Sequence, residues 1–255
     1  MSAAGGRASV TSRQAFDEAL ALPRGSDAPR LLSVLDSLPE AAPPLPQLSP
    51  FSVAVKRATD IVVALIGLVV LAPVLALVAL AIKLDSRGPV FFRQVRMGSR
   101  DRTFRVFKFR TMAADADALK PTLAHMNRHA LNGGGGLMFK VENDPRVTRV
   151  GRLLRRYFLD EIPQLFNVLN GEMSLVGPRP LILDEDRHVV AWARRRLDLK
   201  PGMTGLWQVL GHSAIPFEQM IKLDYVYVST WSYANDWRLI LRTIPLILRG
   251  DGDRF

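Results

Sequence analysis

Residues 61–84 read IVVALIGLVVLAPVLALVALAIKL, a nearly continuous apolar run interrupted only by Lys83. A bilayer crossing needs roughly 20 such residues, so the run is long enough to span. Two features argue against a simple crossing. Pro73 lies near the middle, where the missing N–H and the ring are expected to kink or break a helix. Each half is then about ten residues, or roughly 15 Å, half the hydrocarbon thickness. Positive charge also flanks both ends: Lys56 and Arg57 before, Lys83, Arg87, Arg93 and Arg96 after. A spanning helix usually carries that excess on one side. A helix that enters, breaks at Pro73 and returns to the same face satisfies both facts. An ordinary span with a tolerated proline is the alternative.

No comparable run follows. Leu239–Leu248 (LILRTIPLIL) is short and carries Arg242 and Pro245; with Trp231, Tyr233 and Trp237 upstream it reads as an interfacial helix or a core-packed one. Three segments are expected. Residues 1–50 form a disordered or weakly ordered extension. No basic-then-apolar leader is present in it, Ser12–Leu22 and Arg30–Leu38 are short helix candidates, and Pro39–Pro50 is a proline-rich linker. Residues 51–90 form the membrane hairpin, and residues 91–255 a domain held against one membrane face. Charge follows this division. The chain of 255 residues carries +10, yet residues 1–50 have four Arg against five acids, leaving +11 beyond residue 50. Such a balance points to anionic lipid, phosphorylated substrates or nucleic acid. No nucleic-acid motif is recognisable. The absence of Cys excludes disulfides, thiolate nucleophiles and Cys-based zinc sites.

The soluble part mixes periods. Phe91–Met112 alternates apolar and polar residues around Gly98–Asp101, which predicts a β-hairpin with Lys108 and Arg110 on a common face. Asn132–Gly136 (NGGGG) lacks the Lys-Ser/Thr of a phosphate loop and reads as a connector. His125 and His129 share helical spacing, but no third ligand accompanies them, so any metal here is expected to take oxygen ligands, which favours Mg2+. Val150–Leu159 is predicted helical, with Arg152, Arg155 and Arg156 on one face. Asp160 is placed to cap a second helix, Glu161–Leu169, closed by Asn170-Gly171. Gly177-Pro178-Arg179-Pro180 forms a stiff turn projecting Arg179. A cap needs one carboxylate; Asp160-Glu161 supplies two, beside arginines. Either this is a cap with surface ion pairs, or a carboxylate poised to attack phosphorus while arginines and a divalent cation neutralise the charge.

From about Val55 onward the chain resembles the bacterial sugar transferases, monotopic polyprenyl-phosphate phosphoglycosyl transferases that prime exopolysaccharide and O-antigen synthesis. The segments that carry the resemblance occur in the family's order: KRATDIVVALIGLVVLAPVLALVALAIKLDSRGPVFFRQVRMG, FKFRTM, NDPRVTRVGRLLRR, LDEIPQLFNVLNGEMSLVGPRP, KPGMTGLWQV and KLDYVYV. The resemblance implies transfer of a sugar 1-phosphate from a UDP-sugar to undecaprenyl phosphate with release of UMP. The donor sugar would be glucose or galactose, and the enzyme would sit on the cytoplasmic face of the inner membrane. It implies Asp160 as nucleophile, Glu161 as its neighbour at the Mg2+ ion, Arg155 and Arg179 as phosphate ligands, Lys108 and Arg110 as the basic residues of the KFRTM strand, and Pro73 as the break in the membrane helix.

Departures qualify the match. Phe158 stands where many relatives have Ser. In QVLGHS (Gln208–Ser213), His212 stands where relatives often have Arg, beside Gln208 in the expected substrate-binding set. That leaves a second expectation, a catalytically silent membrane scaffold of polysaccharide assembly. The expected fold is α+β and mostly α: a re-entrant helix, short amphipathic helices and a small β-hairpin, with surface helices able to support a homodimer.

Overall fold

The computed structural model describes residues 11–21, 33, 35, 48–127, 138–139, 141–210, 215–250 and 252. The elements run α1 (Ser12–Ala21), α2 (Pro50–Asp85), β1 (Phe91–Met97), β2 (Thr103–Phe109), α3 (Arg149–Arg156), α4 (Gln164–Asn170), β3 (Ser174–Val176), α5 (Leu183–Asp186), β4 (Gly202–Thr204), α6 (Leu206–Leu210), α7 (Phe217–Ser229) and α8 (Tyr233–Arg249), with 3-10 turns between some of them. The α-rich fold with one small hairpin matches the expectation. β1 and β2 pair antiparallel, Phe91 opposite Phe109 and Met97 opposite Thr103. A short parallel pair, β3–β4, has no counterpart in the sequence reading. It depends on Gly177, where a Cβ would stand 2.2 Å from the Lys200 carbonyl.

α2 is a single helix of 36 residues, begun by Ser49, whose hydroxyl accepts the Ser52 N–H at 3.1 Å, and by Pro50 at its first turn. The break expected at Pro73 is corrected: the helix continues through it. Proline removes a single N–H, and the turns on either side carry the helix through from Pro50 to Asp85. The helix lies lengthwise on the rest of the chain along one stripe. Asp60 and Ala64 are buried; Gly67, Leu68, Leu71, Leu75, Val78 and Ala79 are half-buried; Ile82 is buried. These positions repeat every three or four residues, as one helix face must. The other face, from Ile61 through Val70 and Leu77 to Leu84, is apolar and exposed.

Both ends of α2 are tied to the same body by polar contacts. At the N-terminal end Arg57 donates to the carbonyls of Val168 (2.5 Å) and Leu169 (2.8 Å) in the last turn of α4. Asp60 accepts from the Ser174 hydroxyl and the Leu175 N–H, each at 3.0 Å. Lys56 pairs with Asp236 of α8 at 2.6 Å. At the other end Asp85 accepts the Val150 N–H at 3.1 Å. Arg110 donates to the carbonyls of Ser86 (2.7 Å) and Arg87 (2.9 Å).

The largest core gathers α7 (Met220, Leu223, Val226, Tyr227) with α6, Leu181, Val176 and Leu239 of α8. α1 belongs to it. Phe16 is 1% exposed, with Ala15, Ala19 and Leu20 also buried. This part of the extension is packed, not loose. Its N-cap is Thr11: the Thr11 hydroxyl accepts the Gln14 N–H, and the Gln14 side chain accepts the Thr11 N–H. Most of the Arg30–Leu38 candidate and of the Pro39–Pro50 linker lie outside the described residues. α8 resolves the choice for the C-terminal segment in both directions. Leu239 and Leu246 are buried, while Trp237, Leu241, Ile244 and Leu248 form an exposed apolar stripe.

Candidate active site

The acidic pair stands in a turn between two short helices. α3 is started by Thr148, whose hydroxyl accepts the Gly151 N–H at 3.0 Å, and ends at Arg156. It stops three residues earlier than expected because Phe158 takes a left-handed conformation (φ 55°). Leu159–Glu161 then forms a 3-10 turn, and α4 starts after Pro163. Asp160 therefore does not cap a helix, contrary to the expectation, and its carboxylate is left for other work. α4 does end as expected, at Gly171 with φ 80°.

β2 delivers Lys108 to this turn. Its Nζ donates to Glu161 Oε1 at 2.5 Å. The strand is held there by Asn167 of α4, fully buried, whose Oδ1 accepts the Phe107 N–H (2.9 Å) and whose Nδ2 donates to the Arg105 carbonyl (2.8 Å). Arg155 reaches the same region from the last turn of α3, its Nε donating to the Thr111 hydroxyl at 2.9 Å.

The two carboxyls are tuned apart. Burial pushes Asp160 up to about 6, with the Glu161 charge adding to it against the pull of Lys108 and Arg155. Burial acts on Glu161 too, but the Lys108 charge and hydrogen bond, Arg179 and the Gln164 side chain outweigh it and lower its pKa. Near neutral pH both are ionised. Asp160 is then a buried, basic carboxylate, a better nucleophile than an exposed aspartate.

Arg179 is projected as expected. Its backbone N–H donates to both oxygens of Asp224 (3.3 and 3.2 Å), and its carbonyl accepts from Arg196. Asp224 and Arg196 are fully buried and paired at 2.7 Å. The Arg179 guanidinium lies over the Trp207 ring, 4.7 Å from its centre, and its charge reaches Glu161. Arg110 is not in the site. It is buried and donates to Ser86 and Arg87, so its role is corrected to fastening the end of α2. Gln208 lies on α6 next to Trp207, half-buried, with its Oε1 unpaired. His212 and His129 lie outside the described residues. Among the described residues no three His, Asp, Glu or Cys side chains cluster as a metal site. Sequence reasoning missed Gln164, Asn167 and Thr111. All three sit inside the quoted motifs but carry no charge, so nothing in charge spacing marks them.

Residues 51–250 match the family described as bacterial sugar transferase, and the chain belongs to that family. It is 43% identical over 198 residues to the galactosyl transferase CpsE of Streptococcus agalactiae, covering 77% of this chain and 43% of that one. It is 36% identical over 197 residues to the exopolysaccharide production protein ExoY of Sinorhizobium fredii, covering 77% and 87%. A UDP-glucose:undecaprenyl-phosphate glucose-1-phosphate transferase of Caulobacter vibrioides is 41% identical over 204 residues, covering 77% and 70%. The chain thus spans less than half of the streptococcal relative.

Proposed function

We propose that this chain is a membrane-bound phosphoglycosyl transferase that moves a sugar 1-phosphate from a UDP-sugar to undecaprenyl phosphate. The observation that carries the reading is the Asp160-Glu161 turn: a buried carboxylate with a raised pKa beside Lys108, with Arg155 and Arg179 in electrostatic reach. Relatives named for UDP-glucose and undecaprenyl phosphate support the substrate pair.

An oxygen of ionised Asp160 attacks the phosphorus that bears the sugar. The new O–P bond forms as the bond to the bridging oxygen breaks, and UMP leaves with that electron pair. A phosphate oxygen of the lipid then attacks the same phosphorus, and Asp160 leaves as carboxylate. Division into two displacements lets a water-soluble donor and a lipid acceptor use the site in turn. Arg155 and Arg179 hold phosphate oxygens and offset the charge that builds there. Lys108 keeps Glu161 ionised and oriented.

The donor set suits Mg2+, which takes one or two carboxylates together with substrate phosphates rather than a closed protein cage. Asp160 and the Glu161 oxygen not bound by Lys108 would hold it, and it would neutralise the diphosphate. The exposed apolar face of α2, with both helix ends tied to one body, supports attachment to a single membrane face, the cytoplasmic face of the inner membrane in this reading.

The test is UMP release from a panel of UDP-sugars with Mg2+, with and without undecaprenyl phosphate, in nanodiscs. Lipid-dependent release that is lost in Asp160→Asn is the expected result. No release from any donor by folded protein would favour a silent scaffold.

A further inference from the structure

The Gly177–Pro180 turn has a second arginine built against it. β1 docks on the segment after the turn, with the Met97 N–H donating to the Leu181 carbonyl at 2.9 Å. Its neighbour Arg96 donates through Nη1 to the Pro180 carbonyl (3.1 Å) and through Nη2 to Gln94 Oε1 (2.6 Å). Its Nε is buried with no acceptor. Arg179, adjacent in the turn, is more exceptional. Among the described residues none of its guanidinium N–H groups has an acceptor; Nε is sealed from solvent, and the terminal nitrogens stay open to it. Among the described residues the Trp207 ring supports the group.

Neither arginine has a carboxylate within ion-pair distance among the described residues. Their charges oppose each other: burial, then Arg179, pulls Arg96 down to about 10, with Glu185 and Glu161 the acids that reach it in return. Glu185 already accepts the Ile182 N–H. Two neighbouring cations with unused donors, fixed by a proline-locked turn and an aromatic floor, have no directly paired carboxylate among the described residues.

We propose that Arg96 and Arg179, on the Trp207 floor, form one phosphate seat of the active site, with Arg96 a binding residue for a substrate phosphate. The inference rests on the transferase reading only for the identity of that phosphate. The nucleotide and the lipid phosphate share the chemistry, and the experiment separates them.

Trp207 is the reporter, because an anion drawn to Arg179 changes the field over its ring. The full chain in nanodiscs is titrated with UDP, with UMP and with a short-chain polyprenyl phosphate, following tryptophan emission, with Trp207→Phe as the control for the other three tryptophans. Arg96→Met should weaken binding of one class of probe roughly ten- to hundredfold. Arg96→Lys should recover part of it, because lysine keeps the charge but not the fork. Loss confined to UDP and UMP assigns the seat to the donor; loss confined to the polyprenyl phosphate assigns it to the acceptor. Arg96→Gln retains a donor for the Pro180 carbonyl without the charge. If Arg96→Gln and Arg96→Lys both bind every probe within twofold of wild type, the seat is refuted and Arg96 only braces the turn. Should wild type bind the probes yet release no UMP from any UDP-sugar, the seat stands and the transferase reading falls.

Discussion

Asp160→Asn should make this protein more stable while abolishing turnover. The native pKa of Asp160 is raised from the ordinary 3.8 to about 6 by burial and by Glu161. A raised carboxyl pKa means that the folded state holds its proton more tightly than the unfolded chain. Stability therefore falls as pH climbs from about 4 to about 6 and stays lower above that window. The shift is about two units at about 1.4 kcal/mol each, or ~3 kcal/mol at pH 8. Asparagine keeps the shape and removes the charge. The variant should gain up to ~3 kcal/mol at pH 8, about half of that at pH 5, and nothing once pH falls below the unfolded pKa. For a chain of this size a gain of ~3 kcal/mol corresponds to a rise in melting temperature of roughly 6–12 °C. The assay is thermal unfolding followed by tryptophan emission, without divalent cations, at pH 5 and pH 8. Glu161→Gln is the counter-test. The Glu161 pKa is lowered, so its charge stabilises above the ordinary glutamate pKa, and removal should lower the melting temperature at pH 8. An Asp160→Asn variant that melts at or below wild type at pH 8 would refute the claim that the fold holds this carboxylate against its preference for water.

Three further outcomes follow from the packing. Phe16→Ala should destabilise by about 3–5 kcal/mol, because the ring is buried in the main core; equal melting temperatures would show that α1 is only loosely laid on α7. Arg196→Met leaves Asp224 buried without its partner and should cost about 3–5 kcal/mol, with weaker nucleotide binding because the Arg179 backbone loses its mount; chemical denaturation together with UDP titration checks both. Lys108→Met removes the cation that lowers the pKa of both carboxyls, so the acid limb of the rate profile should move to higher pH with a lower plateau; an unmoved limb would exclude Lys108 from the site's electrostatics.

The sequence made legible what is written in periodicity and charge. The hairpin around Gly98–Asp101, the apolar length of α2 and the stop at Gly171 all follow from local rules. It misled wherever a tertiary partner decides. Arg110 looks like Lys108 two positions away, but only the neighbour each meets separates a site residue from a fastener: Glu161 for one, the Ser86 and Arg87 carbonyls for the other. Pro73 invites a break by propensity, yet the ring faces outward and the remaining hydrogen bonds carry the helix on. Asp160 has the identity of a cap, but the left-handed turn at Phe158 moves the start of α4 past it. α1 is legible as a helix, expected over Ser12–Leu22 and found over Ser12–Ala21, but nothing in its own sequence shows that it is packed. Its burial depends on α7, some two hundred residues downstream, which no local window includes.

The anchoring of α2 bears directly on the acidic turn. Asp85, at one end of the helix, holds the Val150 N–H in the first turn of α3. Arg57, near the other end, holds the last carbonyls of α4. The Leu159–Ile162 turn joins those two helices. Leu159 packs on the cluster of Ile82, Phe109 and Leu154, as do Leu75, Val78 and Ala79 of α2, and Ile162 packs on the cluster that contains Ala64, as does Leu68. Asp160 and Glu161 thus lie between two helices that α2 fastens at points about 28 residues, or roughly 42 Å, apart along its length. The face of α2 turned away from the turn is apolar and exposed. In the proposed reaction, lipid covering that face would fix the depth of the helix, and through the two fastenings the height of Asp160 above the bilayer. A lipid phosphate confined to the headgroup plane can meet Asp160 only if that height is right. In the proposed reaction the long helix would set the geometry of the second displacement as well as holding the protein at the membrane.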